Sequence, residues 1–531
     1  MDLVVGLDSG TTATKAVAVA ADAGIIATSS VGYPLLMPEP GYAELDSVQL
    51  QQAAVQALAD VVRQVREEGH RVVGLSLSAA MHGLAPMDRA GSPTGPLITW
   101  ADSRAAEESR SIALGSRGEL HRRTGTPVHP MSPLPKLLWW RLHHPDAFAS
   151  APRWGGVKEV VLSGLCQDAY LIDLSCASTT GLYDITARQW DPEALELAGI
   201  DAGQLATVVP TTHVVTGLRW DVADQTGLPR DLPVVVGASD GPLANLGVGA
   251  VVEGVAAVSL GTSGAMRAVR PAPAVDEAAR LFCYALTDDH WVLGGAINNA
   301  GSVVRWASAA LGMVNPDVQG EALDEADGRL LEEAGPVPFG SEGLLCLPYL
   351  LGERAPWWEP GLQGAWIGIR RHHRRGHLVR SAVEGVCMQL ALVALALDAA
   401  GVHVREVRAT GGAMESPVWR EVLSAALDLP VGLAASPEGA GTGAGLLGHY
   451  ALGSLPHLES AADLIAVDRG EPPHPDHVAA LRRLLPLLER CTVELKPVFA
   501  ELATEKPSAS ADEAADPKSS SASATQVQPD S

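Results

Sequence analysis

Positive charge is scarce in this chain. Its 38 lysines and arginines face 62 aspartates and glutamates, a net charge of −24. That balance excludes nucleic acid and an anionic membrane as main partners, since both are held by neutralising phosphates. A local basic cluster can still receive a small anion. Cysteine is sparse too: Cys166, Cys176, Cys283, Cys346, Cys387 and Cys491 include no Cys-x-x-Cys pair and no histidine at zinc-binding spacing. A disulfide framework and a metal site are thereby disfavoured, and reduced thiols of a cytoplasmic protein are expected. No basic leader precedes the first apolar run, so a secretory signal is not expected. The most apolar later stretch, CMQLALVALALDAAGV, is too short to span a bilayer and reads as a buried helix. What is present is a globular composition, 47% apolar and 19% charged. At 531 residues the chain is too long for one core, and two large domains are expected.

The order of patterns supports that division. Residues 3–30 read as strand, small turn, strand (Lys15–Ala20), Asp-Ala-Gly turn and third strand. The stretch VQLQQAAVQALADVVRQVREEGH has helical apolar spacing and ends near Gly69, and VVGLSLSA is a buried strand. Strands alternating with helices predict a mixed α/β sheet. The pattern then restarts: DLPVVVGASDGPLANLGVGAV is a strand, an Asp-Gly turn and a helix start, and GVAAVSLGTSGAMRAV is again strand, turn, strand. Two copies of one unit, about 250 residues apart, predict related domains facing each other across a cleft. From about Ala503 the sequence has no large apolar residue except Val527, which predicts a disordered tail over 503–531. The expected domains are 1–247 and 248–502.

The first turn, GLDSGTTATK, places Asp8 at the tip of a buried strand, followed by Gly10, Thr11, Thr12 and Lys15. Exposed backbone N–H groups and short hydroxyls suit a phosphate, and one carboxylate with retained water suits magnesium. The alternative is a tight hairpin whose Asp and Thr bond their own backbone. A second turn, LGTSGAM, repeats the type with Gly261 and Thr262. A third glycine cluster, ATGGAMESPVW, opens a helix where adenosine or α-phosphate contacts fit. A fourth, EGAGTGAGLLG, reads as close helix packing. Asp240 ends a buried strand beside a glycine, where an α/β sheet places reactive groups, and is the candidate base for phosphoryl transfer to an alcohol. Its alternative is an ordinary Asp-Gly turn. Three polar clusters read as an acceptor site: Met81 and His82; Trp100, Asp102 and Arg104; His129, Ser132 and Lys136. Each has a plainer reading: a satisfied histidine, an Asp–Arg pair within the domain, a helix-capping Ser-Pro. RRHHRRGHLVR reads as a solvated helix start.

These residues carry a resemblance. The chain is similar to the FGGY carbohydrate kinases over residues 3 to about 500. GAWIGIRRHHRRGHLVRSAVE has Gly368, His377, Leu378 and Glu384 at the spacings of one family signature. MSPLPKLLWWRLH fits the other at Met131, Pro133, Lys136 and Trp139 and departs from it at Trp140. The resemblance implies two actin-like (ribonuclease H-like) ATPase domains about a central cleft, with ATP and Mg2+. It implies Asp8, Thr11, Thr12 and Lys15 in the first phosphate motif and Gly261 and Thr262 in the second. Gly411, Gly412 and Ser416 match the adenosine motif, Arg305 lies near a nucleotide-contacting glutamine of some members, and Asp240 matches the catalytic base.

Among acceptors, Met81-His82 stands where glycerol kinases have Arg-Glu. SAAMHGLAPMD, TGTPVHPMSPLPKL and LGERAPWWEPG look most like the gluconokinase branch, with xylulose kinases next. A sugar acid needs a compensating donor or charge, for which His82, His129 and Lys136 are candidates. The expected activity is ATP-dependent phosphorylation of D-gluconate. The alternatives are a D-xylulose kinase and a non-catalytic ATP switch. The expected partner is a small-molecule sugar or sugar acid, with no nucleic acid and no membrane and a homodimer left open, and the expected location is the cytoplasm.

Overall fold

The computed structural model describes residues 1–167, 169–312, 321–435 and 438–504. The expected tail lies, from residue 505 onward, outside the described residues. The first sheet consists of β1 (Asp2–Ser9), β2 (Ala13–Val19), β3 (Ile25–Gly32), β4 (Arg71–Ala79), β5 (Val214–Val215) and β6 (Val234–Ser239), in spatial order β5-β6-β4-β1-β2-β3. β1 runs antiparallel to β2 and β2 to β3, while β1–β4 and β4–β6 are parallel. Helix α1 (Ser47–Glu67) lies on β2 and β3. Its N-terminus is capped by the Asp46 carboxylate, which accepts from the Val48 and Gln49 amides at 2.8 and 3.1 Å. Leu50, Ala54, Ala57, Val61 and Val65 form its buried stripe. Helix α2 (Pro133–His143) belongs to a separate apolar cluster with Trp139, Trp140 and Trp154.

The second sheet repeats the first. β7 (Val255–Leu260), β8 (Gly264–Arg270), β9 (Phe282–Ala285), β10 (Trp291–Ile297), β11 (Glu406–Thr410), β12 (Val431–Ala434) and β13 (Val467–Asp468) take the order β9-β10-β8-β7-β11-β12-β13. β7–β8 and β8–β10 are antiparallel, and β7–β11 and β11–β12 are parallel. Each sheet is closed on its parallel side by a short antiparallel edge strand, β5 or β13. The duplication read from two turns is thus present in every central pairing.

Two helices join the halves. α3 (Asp240–Gly247) leaves the end of β6 toward β7. α4 (Gly301–Ala310) and α5 (Arg375–Ala399) belong to the second half, but α6 (Gly439–Ala451) returns to pack on β1, β2, β4 and α3. The glycines of EGAGTGAGLLG make that crossing possible. A Cβ at Gly443 would lie 1.9 Å from the Leu243 carbonyl oxygen, and one at Gly6 2.0 Å from that of Gly441. α5 contains the apolar stretch after Cys387. Its length and mean hydropathy of 1.7 would allow it to cross a membrane, yet 78% of that window is buried within the protein. The basic run before it is an exposed helix start, as its composition suggests.

Candidate active site

Asp240 sits where β6 ends and α3 begins, and the local sequence distorts the strand to put it there. Gly237 adopts φ +78°, and the β6–β4 register shifts between Val235 and Ala238. A side chain at Gly237 would meet the Leu77 carbonyl at 1.8 Å, so only glycine fits the kink. The buried Lys158 ammonium holds the kinked end to β4, donating to the carbonyls of Leu77, Val236 and Ala238 at 2.9, 2.6 and 3.2 Å. Asp173 lies 3.3 Å from it. The Asp240 carboxylate accepts from the amides of Gly241 (2.8 Å) and Met81. Burial pushes its carboxyl up to about 6, with the Asp8 charge acting in the same direction and Arg267 against it. A carboxylate poised there is suited to accept a hydroxyl proton near neutrality.

Asp8 is paired in register with Lys15 and accepts from the Ser78 hydroxyl at 2.6 Å. Burial raises its carboxyl as well, while Ser78 and Lys15 oppose that rise. Two half-buried carboxylates that both resist ionisation fit a divalent cation with phosphate oxygens completing its shell. No cluster of three or more His, Cys, Asp or Glu side chains able to hold a metal occurs among the described residues.

The two acceptor-side imidazoles are neutral and complementary. His82, at φ +66° three residues after β4, is pushed down to about 3 by burial and then by Lys136. Its Nδ1–H donates to the Thr179 carbonyl at 2.9 Å, which leaves Nε2 an acceptor. His129 is also pushed to about 3, by burial and then Arg354, and its Nδ1 accepts from the Met131 amide at 3.2 Å. Its Nε2 therefore carries the proton. One ring accepts and the other donates, an arrangement suited to the hydroxyls of a polyol.

Across the cleft, a cavity of about 880 Å³ is lined by Gly261, Thr262, Arg305, Trp306, Gly412 and Ser416. The N-terminus of α4 abuts the GTSG turn, with the Gly301 amide on the Gly261 carbonyl at 2.9 Å. Gly411, at φ +101°, lies so close to the end of β7 that a Cβ would come 2.3 Å from the Leu260 carbonyl. The cavity thus brings both glycine-rich turns to one wall, and its size and exposed backbone suit a nucleotide.

The FGGY family of carbohydrate kinases, N-terminal domain, matches residues 3–247, and the family's C-terminal domain matches 256–452. The chain belongs to that family. It is 37% identical to a gluconokinase of Bacillus subtilis over 502 residues, covering 94% of this chain and 97% of the relative. A xylulose kinase of the same organism is 27% identical over 468 residues, 87% and 91% of the two chains. Among solved structures, a gluconate kinase and a ligand-bound xylulose kinase, both from Lactobacillus acidophilus, each superpose with a TM-score of 0.87 at 29% identity. They cover 94% of this chain and 99% and 100% of theirs.

Several residues expected at the kinase's acceptor site are committed elsewhere. Lys136 is fully buried and donates to the carbonyls of His82, Thr99 and Met131 at 2.7, 2.7 and 2.8 Å, so it has no N–H left for a substrate. Asp102 and Arg104 pair with each other, Arg104 also with Glu44, and Arg104 lies 3.7 Å over the Tyr42 ring. The plainer reading of that pair is the one observed. Ser132 is buried with its hydroxyl on the His129 carbonyl at 3.0 Å. The Trp100 indole N–H is spent on the Thr11 hydroxyl at 2.9 Å, which ties the acceptor side to the first phosphate turn. On the nucleotide side, Lys15 is paired with Glu438 at 2.8 Å, and Arg305, though lining the cavity, is paired with Asp324 and Asp327. Met81 stays in the cleft, its Cε 2.9 Å from a Cβ built at Gly241.

Sequence reasoning missed other residues of the kinase's cleft. Arg267 faces Asp240 from β8, and the loop after Leu350 brings in Arg354 and Trp358, the latter edge-on to His129 at a ring separation of 5.8 Å. The signal was available: GAMRAV places one arginine in a strand otherwise built of small and apolar residues.

Proposed function

We propose that this kinase transfers the γ-phosphoryl group of ATP to the terminal hydroxyl of D-gluconate, giving 6-phospho-D-gluconate. The observation that carries the reading is Asp240, a carboxylate raised to about 6 by burial at the tip of a kinked strand, with Asp8, Met81 and Arg267 around it. The 37% identity to a gluconokinase over nearly the whole chain supports gluconate above xylulose.

Asp240 accepts the hydroxyl proton as the oxygen attacks. His82 Nε2 and His129 Nε2–H orient the chain of hydroxyls. The turns at Gly10–Thr12 and Gly261–Thr262 take the phosphates, and Gly411, Gly412 and Ser416 take the adenosine side. Asp8 would hold Mg2+, which would neutralise phosphate charge. Lys15 and Arg305 enter only if they exchange their present carboxylate partners for phosphate. Closure of the two halves about α3 and α6 would exclude water, so that the sugar acid rather than water is phosphorylated.

The test is ADP release from purified protein with ATP and Mg2+, against D-gluconate, D-xylulose, L-ribulose and glycerol in parallel. Turnover with gluconate above all others is the expected result. Turnover with xylulose alone would keep the mechanism and replace the substrate. ATP binding without turnover on any acceptor would favour the switch.

A further inference from the structure

Two arginines of the cleft keep buried N–H donors without hydrogen-bond partners. Arg267 stands on β8 between Ala257 of β7 and Gly294 of β10. A Cβ at Gly294 would come within 3.1 Å of Arg267 Cγ, so that glycine leaves space for the long side chain across the sheet. The Nε and Nη1 of Arg267 are shielded from water and have no hydrogen-bond partner. Nε lies 3.6 Å from a Cβ built at Gly241, beside the candidate base. Arg354 lies 5.3 Å over the Trp100 ring and donates through Nη2 to the Ile297 carbonyl at 3.0 Å, while its Nε is buried and unpartnered.

The two guanidiniums also repel. Burial, with Arg267 adding to it and Glu353 opposing, lowers Arg354 to about 10. Glu353 offsets part of that charge, and its oxygens also accept from the amides of Asn298 (2.6 Å) and Arg354 (2.8 Å) and from the Asn299 side chain (3.0 Å). Burial raises the Glu353 carboxyl to about 7. Nearby, the Tyr284 hydroxyl is likewise buried without a partner, its ring 5.8 Å from that of His82. His82 and His129 add no charge. Unmet donors and adjacent like charges both oppose folding, so stability does not explain this pair. An acceptor-bound anion would satisfy the donors and remove the repulsion together.

We infer that Arg267 and Arg354 form the site for the substrate's carboxylate and thereby set a preference for sugar acids over neutral sugars. The inference rests on the gluconate reading. It replaces Lys136 and the two histidines as the source of positive charge. It also accounts for how so acidic a chain receives an anion.

The test compares kcat/KM for D-gluconate with that for D-glucitol, which has the same hydroxyl pattern and a neutral CH2OH in place of the carboxylate. Arg267→Met and Arg354→Met should each reduce the gluconate-to-glucitol ratio by about 100-fold, as expected for lost charge-assisted hydrogen bonds, with the loss on gluconate mainly in KM. Arg→Lys at either position should restore part of the ratio. Because each guanidinium keeps buried donors unsatisfied in the fold, both Met variants should melt at or above the wild-type temperature. A preserved ratio, or a lowered melting temperature with equal losses on both acceptors, would overturn the inference. Equal losses with a raised KM for ATP would place the guanidiniums on the γ-phosphate and overturn it too. Wild-type turnover of xylulose without gluconate would defeat the gluconate reading itself, before any variant is compared.

Discussion

The environment of Asp240 makes its protonation state measurable. With its carboxyl raised to about 6, the free enzyme should lose kcat/KM for gluconate about tenfold per unit as pH falls below that value. Stability carries the opposite sign. The folded value lies above the ordinary 3.8, so the residue weakens the fold as pH rises from about 4 through about 6. Asp240→Asn should therefore melt higher than wild type at pH 7.5 and equally near pH 4; an equal or lower melting temperature at pH 7.5 would contradict the burial argument. Lys136 offers a second check. Lys136→Met strips three buried carbonyls of their donor and should cost about 3 kcal/mol or more in a urea titration. Unchanged stability with lost gluconate binding would return Lys136 to the acceptor site. At this scale the sequence located Asp8 near the end of β1, Asp240 directly after β6 and the glycine turns at strand ends, as the structure has them. It concealed which polar side chains face the cleft. The carbonyls that consume Lys136 lie 54, 37 and 5 residues away, and only folding brings the first two to it.

Among the elements, the opening hairpin, α1 and β4 follow from periodicity and turn residues, since their partners are local or adjacent. The return of α6 to the first sheet was not legible, because glycine spacing shows that something approaches closely but not what. The structure supplies the partner, α3, and the contact is backbone against backbone. Gly443→Val should therefore cost several kcal/mol or abolish soluble expression, because the Leu243 carbonyl 1.9 Å from the new Cβ cannot move aside as a flexible side chain would. Gly115→Ala, in the helix Ala106–Thr124 with nothing within 4 Å, is the matched control and should be neutral or stabilising by up to about 1 kcal/mol. Similar losses at both positions would show that the close crossing is not what governs the effect.

For the whole molecule, two similarly wound sheets present one candidate phosphate turn each, with the candidate base on the segment that joins them. The repeat was visible in the sequence as two turns, and the matching strand order shows that it extends through both halves. Charge shows the limit of composition: a chain of net −24 buries two guanidiniums with unpartnered N–H donors in its cleft, which no global count reveals. The central claim, that this cleft performs phosphoryl transfer with Asp240 as base, is tested most directly by one paired measurement. ADP release with gluconate and calorimetric gluconate binding are compared for wild type and Asp240→Asn. Turnover should fall by about 10³-fold or more while the Kd for gluconate changes by less than about threefold. Near-normal turnover in Asp240→Asn would contradict the account.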